Sequence, residues 1–307
     1  MRVDRLPLNS RVGVGIVAAI AAGCAPSRPE PPGPVTVPPV PPRVETPTAV
    51  TPLPLVSGRF AYAPGDYRYE VVTESEIMPA GDSSVPARMR MTALVSLRLE
   101  RVGGDSLQVH MAIDSLWAER DSLIPSPDSA TDGEIAAGLS FTEIFDANGR
   151  APAEPAQPGD ACVPGASLLA IARELLVPVP DELLVGAAWA DTSTMSLCRG
   201  GVPVTSGAIQ SYRVLGSRRD ADGMPLMRLG RATEFSLGGT ATTEHRQIIA
   251  LTGRGESEAV MEMDLRAGVI RSATSEGSSE VLVTYGRTST PFTQRVVRRV
   301  RLIDGGD

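Results

Sequence analysis

The chain has 307 residues, 36 acidic and 29 basic side chains, and a net charge of −7. Every basic residue is arginine, so P-loop lysine chemistry, Schiff bases, pyridoxal phosphate attachment and Ser–Lys nucleophile pairs are excluded. An acidic balance argues against nucleic acid, and aromatic residues at 4% do not suggest stacking platforms for sugars or single strands.

The first residues carry Arg2, Arg5 and Arg11 against Asp4, and Val12 to Ala22 are all Val, Ile, Ala or Gly. A basic start, a short apolar run and small residues before a cut describe a secretory signal over residues 1–23. The run is shorter than the roughly 20 residues a transmembrane helix needs. It ends at Ala21-Ala22-Gly23-Cys24. This resembles the lipobox of bacterial lipoproteins, which implies an acylated Cys24 as the mature N-terminus. Ordinary signal cleavage that leaves Cys24 as a bare thiol is the other reading. Loss of Arg2, Arg5, Arg11 and Asp4 would take the charge from −7 to −9.

Residues 25–56 are rich in proline, with Pro31-Pro32, Pro38-Pro39 and Pro41-Pro42. Proline fixes φ and removes a donor, so the stretch after Cys24 reads as a polyproline-like spacer. At about 3.1 Å per residue it could reach about 100 Å. Residues 57–307 are long enough for one large domain, or for two halves near 57–160 and 161–307.

The body reads as strands. Residues 87–102 alternate, with Met89, Met91, Ala93, Val95, Leu97 and Leu99 against Arg88, Arg90, Ser96, Arg98 and Glu100. Gly103-Gly104-Asp105 supplies a turn, and residues 106–118 resume the alternation, which predicts a long antiparallel hairpin. Further strands are expected at 66–76, 138–145, near 189–197, 207–218, 224–238, 243–252, 258–265, 268–275, 279–288 and 293–303. The last puts Arg295, Arg299 and Arg301 on one face, which suits a solvated face paired with glutamates and an edge strand. Residues 166–176 space Leu168, Leu169, Ile171, Ala172, Leu175 and Leu176 as one helix, stopped by Pro178, that covers the sheet. The fold class is mainly β: long antiparallel strands in a curved sheet or open barrel with that single covering helix.

Cys162 and Cys198 form an even pair once Cys24 is assigned to lipid, and a disulfide between them suits an oxidising compartment. His110 and His245 each stand alone on a strand-like stretch, so neither a metal site nor a catalytic residue is identified, and no cofactor is implied. The loop at 121–134 lacks the ligand set of a calcium loop. Phe145-Asp146-Ala147-Asn148-Gly149 has an echo in Met263-Asp264-Leu265-Arg266-Ala267-Gly268. Related halves and convergent turn chemistry explain it equally.

Pro64-Gly65-Asp66-Tyr67, the hairpin, Phe145-Asp146 with Asn148-Gly149, Val179-Pro180, and Val185-Gly186 with Trp189 together resemble a family of secreted bacterial β-rich domains of unknown function. The resemblance covers about residues 58–303 and implies an envelope domain with no catalytic residues. At fold level the chain is also similar to lipoprotein carriers, whose curved sheet wraps a helix. The expected function is a non-enzymatic envelope lipoprotein, anchored to a membrane through Cys24 and binding a partner protein or a hydrophobic ligand. Ala25 after the cysteine favours the outer membrane. A structural or assembly module without ligand is the alternative, and an unrecognised hydrolase is a third reading. Met89, Met91, Met111, Met227, Met261 and Met263 could line an apolar cavity or fill an ordinary core.

Overall fold

The architecture is taken from a computed structural model that describes residues 58–79, 86–120, 138–150, 171–172, 174–180, 182–199, 202–220, 223, 225–242 and 247–305. The signal peptide, Cys24, the Pro-rich spacer, the loop at 121–134, Cys162 and His245 lie outside the described residues. Leu55–Asp307 form one compact unit.

Twelve strands follow in chain order: β1 (Gly58–Arg59), β2 (Gly65–Pro79), β3 (Ala87–Arg101), β4 (Ser106–Arg120), β5 (Ser140–Asp146), β6 (Glu182–Leu183), β7 (Ala188–Arg199), β8 (Val202–Arg219), β9 (Pro225–Thr242), β10 (Ile248–Asp264), β11 (Val269–Tyr285) and β12 (Thr288–Gly305). Ten of them form one antiparallel sheet in the order β5-β4-β3-β2-β12-β11-β10-β9-β8-β7, and β1 pairs β6 apart from it. Alternation sets the faces: on β3, Val95, Leu97 and Leu99 are buried while Arg98 and Glu100 are exposed. The expected hairpin forms, with Arg101 opposite Leu107.

Two expectations are corrected. The strands expected at 243–252 and 258–265 are one strand, β10, and those at 268–275 and 279–288 are β11. Gly253, Gly255, Gly277 and the serines around them read as breaks, but they sit inside paired ladders. β12 is not an edge, because it lies between β2 and β11. Its arginines are nevertheless paired as expected: Arg295 with Glu276, Arg299 with Glu74 and Arg301 with Glu70.

The sheet must curl. Laid flat, ten strands at about 4.8 Å spacing would span about 43 Å. Instead, residues from β2 to β5 and from β8 to β12 share one core cluster. The curl also closes β7 onto β12, which are five places apart in sheet order. The Arg199 Nη1 donates to Gln294 Oε1 at 3.4 Å across that gap. Small residues on the inner face permit this. A Cβ at Gly255 would lie 2.6 Å from the Phe235 ring and 2.7 Å from Ser279 Cβ, and one at Gly277 would lie 2.7 Å from Ser257 Cβ. Register shifts at Leu94/Val95, Val214/Gly216, Glu262/Met263 and Leu302/Asp304 add local twist.

The concave core is capped by irregular chain. Phe60 and Tyr62, and then Ala172, Leu175, Leu176, Val177, Val179 and Leu183, are buried against the inward residues of the sheet. Residues 171–172 and 174–175 are helical, and Leu176 N–H donates to the Ala172 carbonyl at 2.7 Å; residues 166–170 lie outside the described residues. The Tyr62 hydroxyl ties the two capping segments. It donates to the Val177 carbonyl at 3.1 Å and accepts from the Val177 N–H at 2.8 Å. Burial pushes this phenol well above its usual pKa, so it stays a donor.

The two echoing turns flank the same segment. Asp146 Oδ1 accepts from the N–H groups of Asn148 and Arg150, and Asp264 Oδ1 from those of Arg266 and Ala267. Each turn ends in a left-handed glycine, Gly149 at φ +84° and Gly268 at φ +61°. A Cβ at Gly149 would come 2.6 Å from the Tyr62 ring, and one at Gly268 would come 2.5 Å from the Ala61 carbonyl. Only glycine satisfies both the φ and the space.

Tyr62→Phe should leave both polar groups of Val177 buried without a partner and cost about 1–3 kcal/mol. Urea unfolding checks this, and a loss below a few tenths of a kcal/mol would show that the capping segments are held by packing alone.

Candidate functional site

Along the inner face, character changes with height. The lower part is apolar core. There Met111, Met227, Met261 and Met263 are all at most 1% exposed, and Met89 and Met91 are half-buried. Met111, Met227, Met261 and Met263 all belong to the buried core cluster. At the far end, Val202, Val204, Leu237 and Leu251 make a second apolar cluster, joined by Phe235, Ala241, Ile249 and Val281. Between the two lies a polar belt on β7–β12.

The floor of this belt is an ion cluster. Arg231 on β9 points inward with a side chain only 4% exposed, and its Nη2 donates to Glu174 Oε2 at 2.8 Å. Arg298 on β12 approaches Glu174 Oε1 at 3.4 Å and donates from Nε to Thr73 Oγ1 at 3.3 Å. One carboxylate therefore bridges two guanidinium groups from strands three places apart. Burial pushes the Glu174 carboxyl up, but Arg231 and Arg298 outweigh it and hold the group below the usual range. The same carboxylate keeps Arg231 charged against its own desolvation. Tyr212 stacks on Trp189 with ring centres 5.3 Å apart, and its hydroxyl donates to Gln210 Oε1 at 2.7 Å. Trp189 Nε1 donates to the Pro178 carbonyl at 2.8 Å, which fixes the segment that carries Glu174 against β7.

Half-buried residues rise above the floor. They include Asp191, Ser193 and Gln210, and then Ser257, Ser275 and Gly277. Arg231 Nε, Thr233 Oγ1 and Ser193 Oγ are buried and have no hydrogen-bond partner among the described residues. Arg199 closes the belt from the edge strand. It keeps solvent access, but the protein around it and the charge of Arg298 pull its guanidinium below its usual pKa. It forms no ion pair, and Gln294 is its only hydrogen-bond partner among the described residues.

The sequence identified none of Glu174, Arg231, Arg298 or Arg199 as a site residue. The signal was present: Arg231 interrupts the inward set Leu229, Thr233, Phe235 and Leu237, and Arg298 shares parity with Val296 and Val300. What parity could not show is that a distant glutamate reaches both. Cys198 lies exposed on β7 and is disulfide-bonded; its partner falls outside the described residues. His110 is exposed on the convex face, its Nδ1 2.9 Å from Thr142 Oγ1, in a depression of about 260 Å³ with Arg98, Glu100 and Gln108. A larger open depression, about 550 Å³, lies over Gly253, Leu282 and Pro291 beside the exposed Arg254–Glu280 pair. Among the described residues, no cluster of His, Cys, Asp or Glu is placed to hold a metal, and no helix is long and apolar enough to cross a membrane.

No protein-family model matches the chain, and no curated protein matches it. Among solved structures, it is similar to Salmonella typhi OmpF in complex with daunomycin, at 8% identity over 76% of this chain and 97% of that one, with a TM-score of 0.26. It is also similar to the β domain of the Bordetella autotransporter BrkA, at 8% identity, 77% and 99% coverage and a TM-score of 0.19. A loop-deletion mutant of OmpT, an outer membrane protein of Vibrio cholerae, gives 7% identity, 78% and 100% coverage and a TM-score of 0.20. At such scores the likeness carries no argument about this chain.

Glu174→Gln should strip the buried Arg231 of its counter-ion and cost about 3–5 kcal/mol. The depressed carboxyl also sets a pH dependence. Its contribution is complete above the unfolded glutamate pKa of about 4.3 and fades as pH falls through the lower folded value. Thermal unfolding between pH 6 and pH 3 should therefore show a steeper loss for the parent than for the Gln variant. Parallel curves would remove Glu174 from the account.

Proposed function

We propose that the chain is a non-enzymatic envelope lipoprotein, anchored through acylated Cys24, that binds a ligand inside the curl of β7–β12. The anchoring half of this reading rests on Arg2, Arg5 and Arg11, the apolar run and Ala21-Ala22-Gly23-Cys24. The Pro-rich spacer then holds the sheet away from the bilayer. The acyl chains would supply membrane affinity at about 0.8 kcal/mol per buried methylene.

The binding half rests on one observation. The inner face of β7–β12 stays partly solvent-accessible and lined by small or polar side chains, whereas the lower inner face is filled. A sheet evolved only for rigidity would fill both. Three polar atoms on that face, buried without partners among the described residues, support the same reading, because such atoms are uncommon in finished cores. A disulfide from Cys198 to Cys162 would pin the chain that precedes Glu174 to the edge strand. It would contribute about 3–4 kcal/mol in the chain-entropy view.

Expression in a bacterial host with the native leader tests the anchor. The membrane-extracted product should have the mass of residues 24–307 plus acyl chains, with a Cys162–Cys198 cross-linked peptide in its digest. Cys24→Ser should move the protein to the soluble fraction. A product that retains Met1, or a parent protein found free of membranes, would overturn the proposal.

A further inference from the structure

The ion cluster on the floor of the curl is unbalanced. Three guanidinium groups, Arg231, Arg298 and Arg199, face the belt. Among the described residues, the acids on this face are Glu174, already shared by Arg231 and Arg298, and Asp191, which makes no ion pair there and whose charge acts on Tyr212. Arg199 has no carboxylate partner among the described residues. Its Nη1 rests on an amide oxygen at a long 3.4 Å, and its neighbour Arg298 repels it. Gln294, which Arg199 touches, and Arg298 project to the same inner face of β12, and the charge of Arg298 acts on Arg199 from along that face. A guanidinium that is crowded by protein, repelled by a like charge and held by one long hydrogen bond keeps donors that no described protein group accepts. It would gain most from a planar or tetrahedral oxyanion that accepts from two forks at once.

We propose that Arg199 and Arg298 bind the oxyanion of the ligand, a carboxylate or phosphate group, at the level of Gln294 inside the curl. This rests on the reading of the curl as a ligand site and adds the chemistry of its head group. Glu174 positions the site: it holds Arg231 and one side of Arg298 and offsets one of the three cationic charges, and with Asp191 counted as well the belt keeps a net charge of one cation for the ligand. The apolar cluster of Val202, Val204, Leu237 and Leu251 begins beside Arg199, since Val202 is its pairing partner on β8. An oxyanion carried on an apolar body would therefore find both of its parts matched, whereas a free oxyanion would use the arginines alone.

The test uses the full chain carrying Cys24→Ser, with inorganic phosphate, dihexanoyl phosphatidylglycerol and, as the neutral lipid, dihexanoyl phosphatidylcholine, followed by titration calorimetry. At least one of the two anionic probes should bind one to one, and Arg199→Gln should weaken it at least tenfold with an unchanged melting temperature. Arg254→Gln, on the convex face, should leave the affinity as it was. Binding of phosphate alone assigns a free oxyanion, and binding of phosphatidylglycerol alone assigns a lipid head group; either supports the proposal. Equal affinity in the parent and Arg199→Gln overturns it. Binding of phosphatidylcholine alone, unaffected by Arg199→Gln, also overturns it while leaving the curl as a ligand site. No binding by any probe, together with a ligand-free mass for the membrane-extracted protein, removes both readings.

Discussion

The tie between Tyr62 and Val177 is the constraint on which the domain depends. A curled sheet has an apolar concave face to cover, and it cannot fold flat onto itself. It needs chain from elsewhere to fill the trough. Two irregular segments do this, and irregular chain carries backbone donors and acceptors that must be satisfied away from water. One phenol meets a donor and an acceptor of the second segment while its ring fills the first. The left-handed glycines at 149 and 268 then press on either side of the same short stretch. Capping segments, turns and sheet are thereby held in a single register.

From that end the sheet changes purpose with height. Large side chains fill the trough where the caps lie, and glycine and serine take over where the curl is tightest. Inward Cβ atoms converge on the concave side of a bent sheet, so bulk there would force the strands apart. The same economy of volume leaves room for the charged belt. A buried ion cluster is weak evidence for stability, since apolar packing of equal volume would serve as well or better. Its presence on this face is therefore one of the reasons for the ligand site proposed above.

The strands were legible because side-chain alternation is a local property. The hairpin of β3 and β4 follows from the period-two pattern and two glycines. The long ladders of β10 and β11 were cut in two because glycine and serine are poor strand formers in isolation, and only their tight surroundings justify them. The central place of β12 was not legible at all. Its charged face suits an edge, and the partner that removes the edge lies more than two hundred residues earlier, as the Arg301–Glu70 pair across 231 positions shows. The belt was missed for a related reason. Parity marks Arg231 and Arg298 as misplaced charges, but their common acid comes from a segment outside the sheet, beyond the reach of any periodicity.

The final strand also governs when the domain can exist. β2 to β5 form one meander and β7 to β12 another, and β12 alone zips them together. Contacts of that sequence separation are slow to form, since loop entropy is lost before any pairing is gained. The sheet therefore cannot close until its last eighteen residues are available. The chain of both meanders is therefore in place before the strand that joins them, and until β12 pairs with β2 the sheet remains in two pieces.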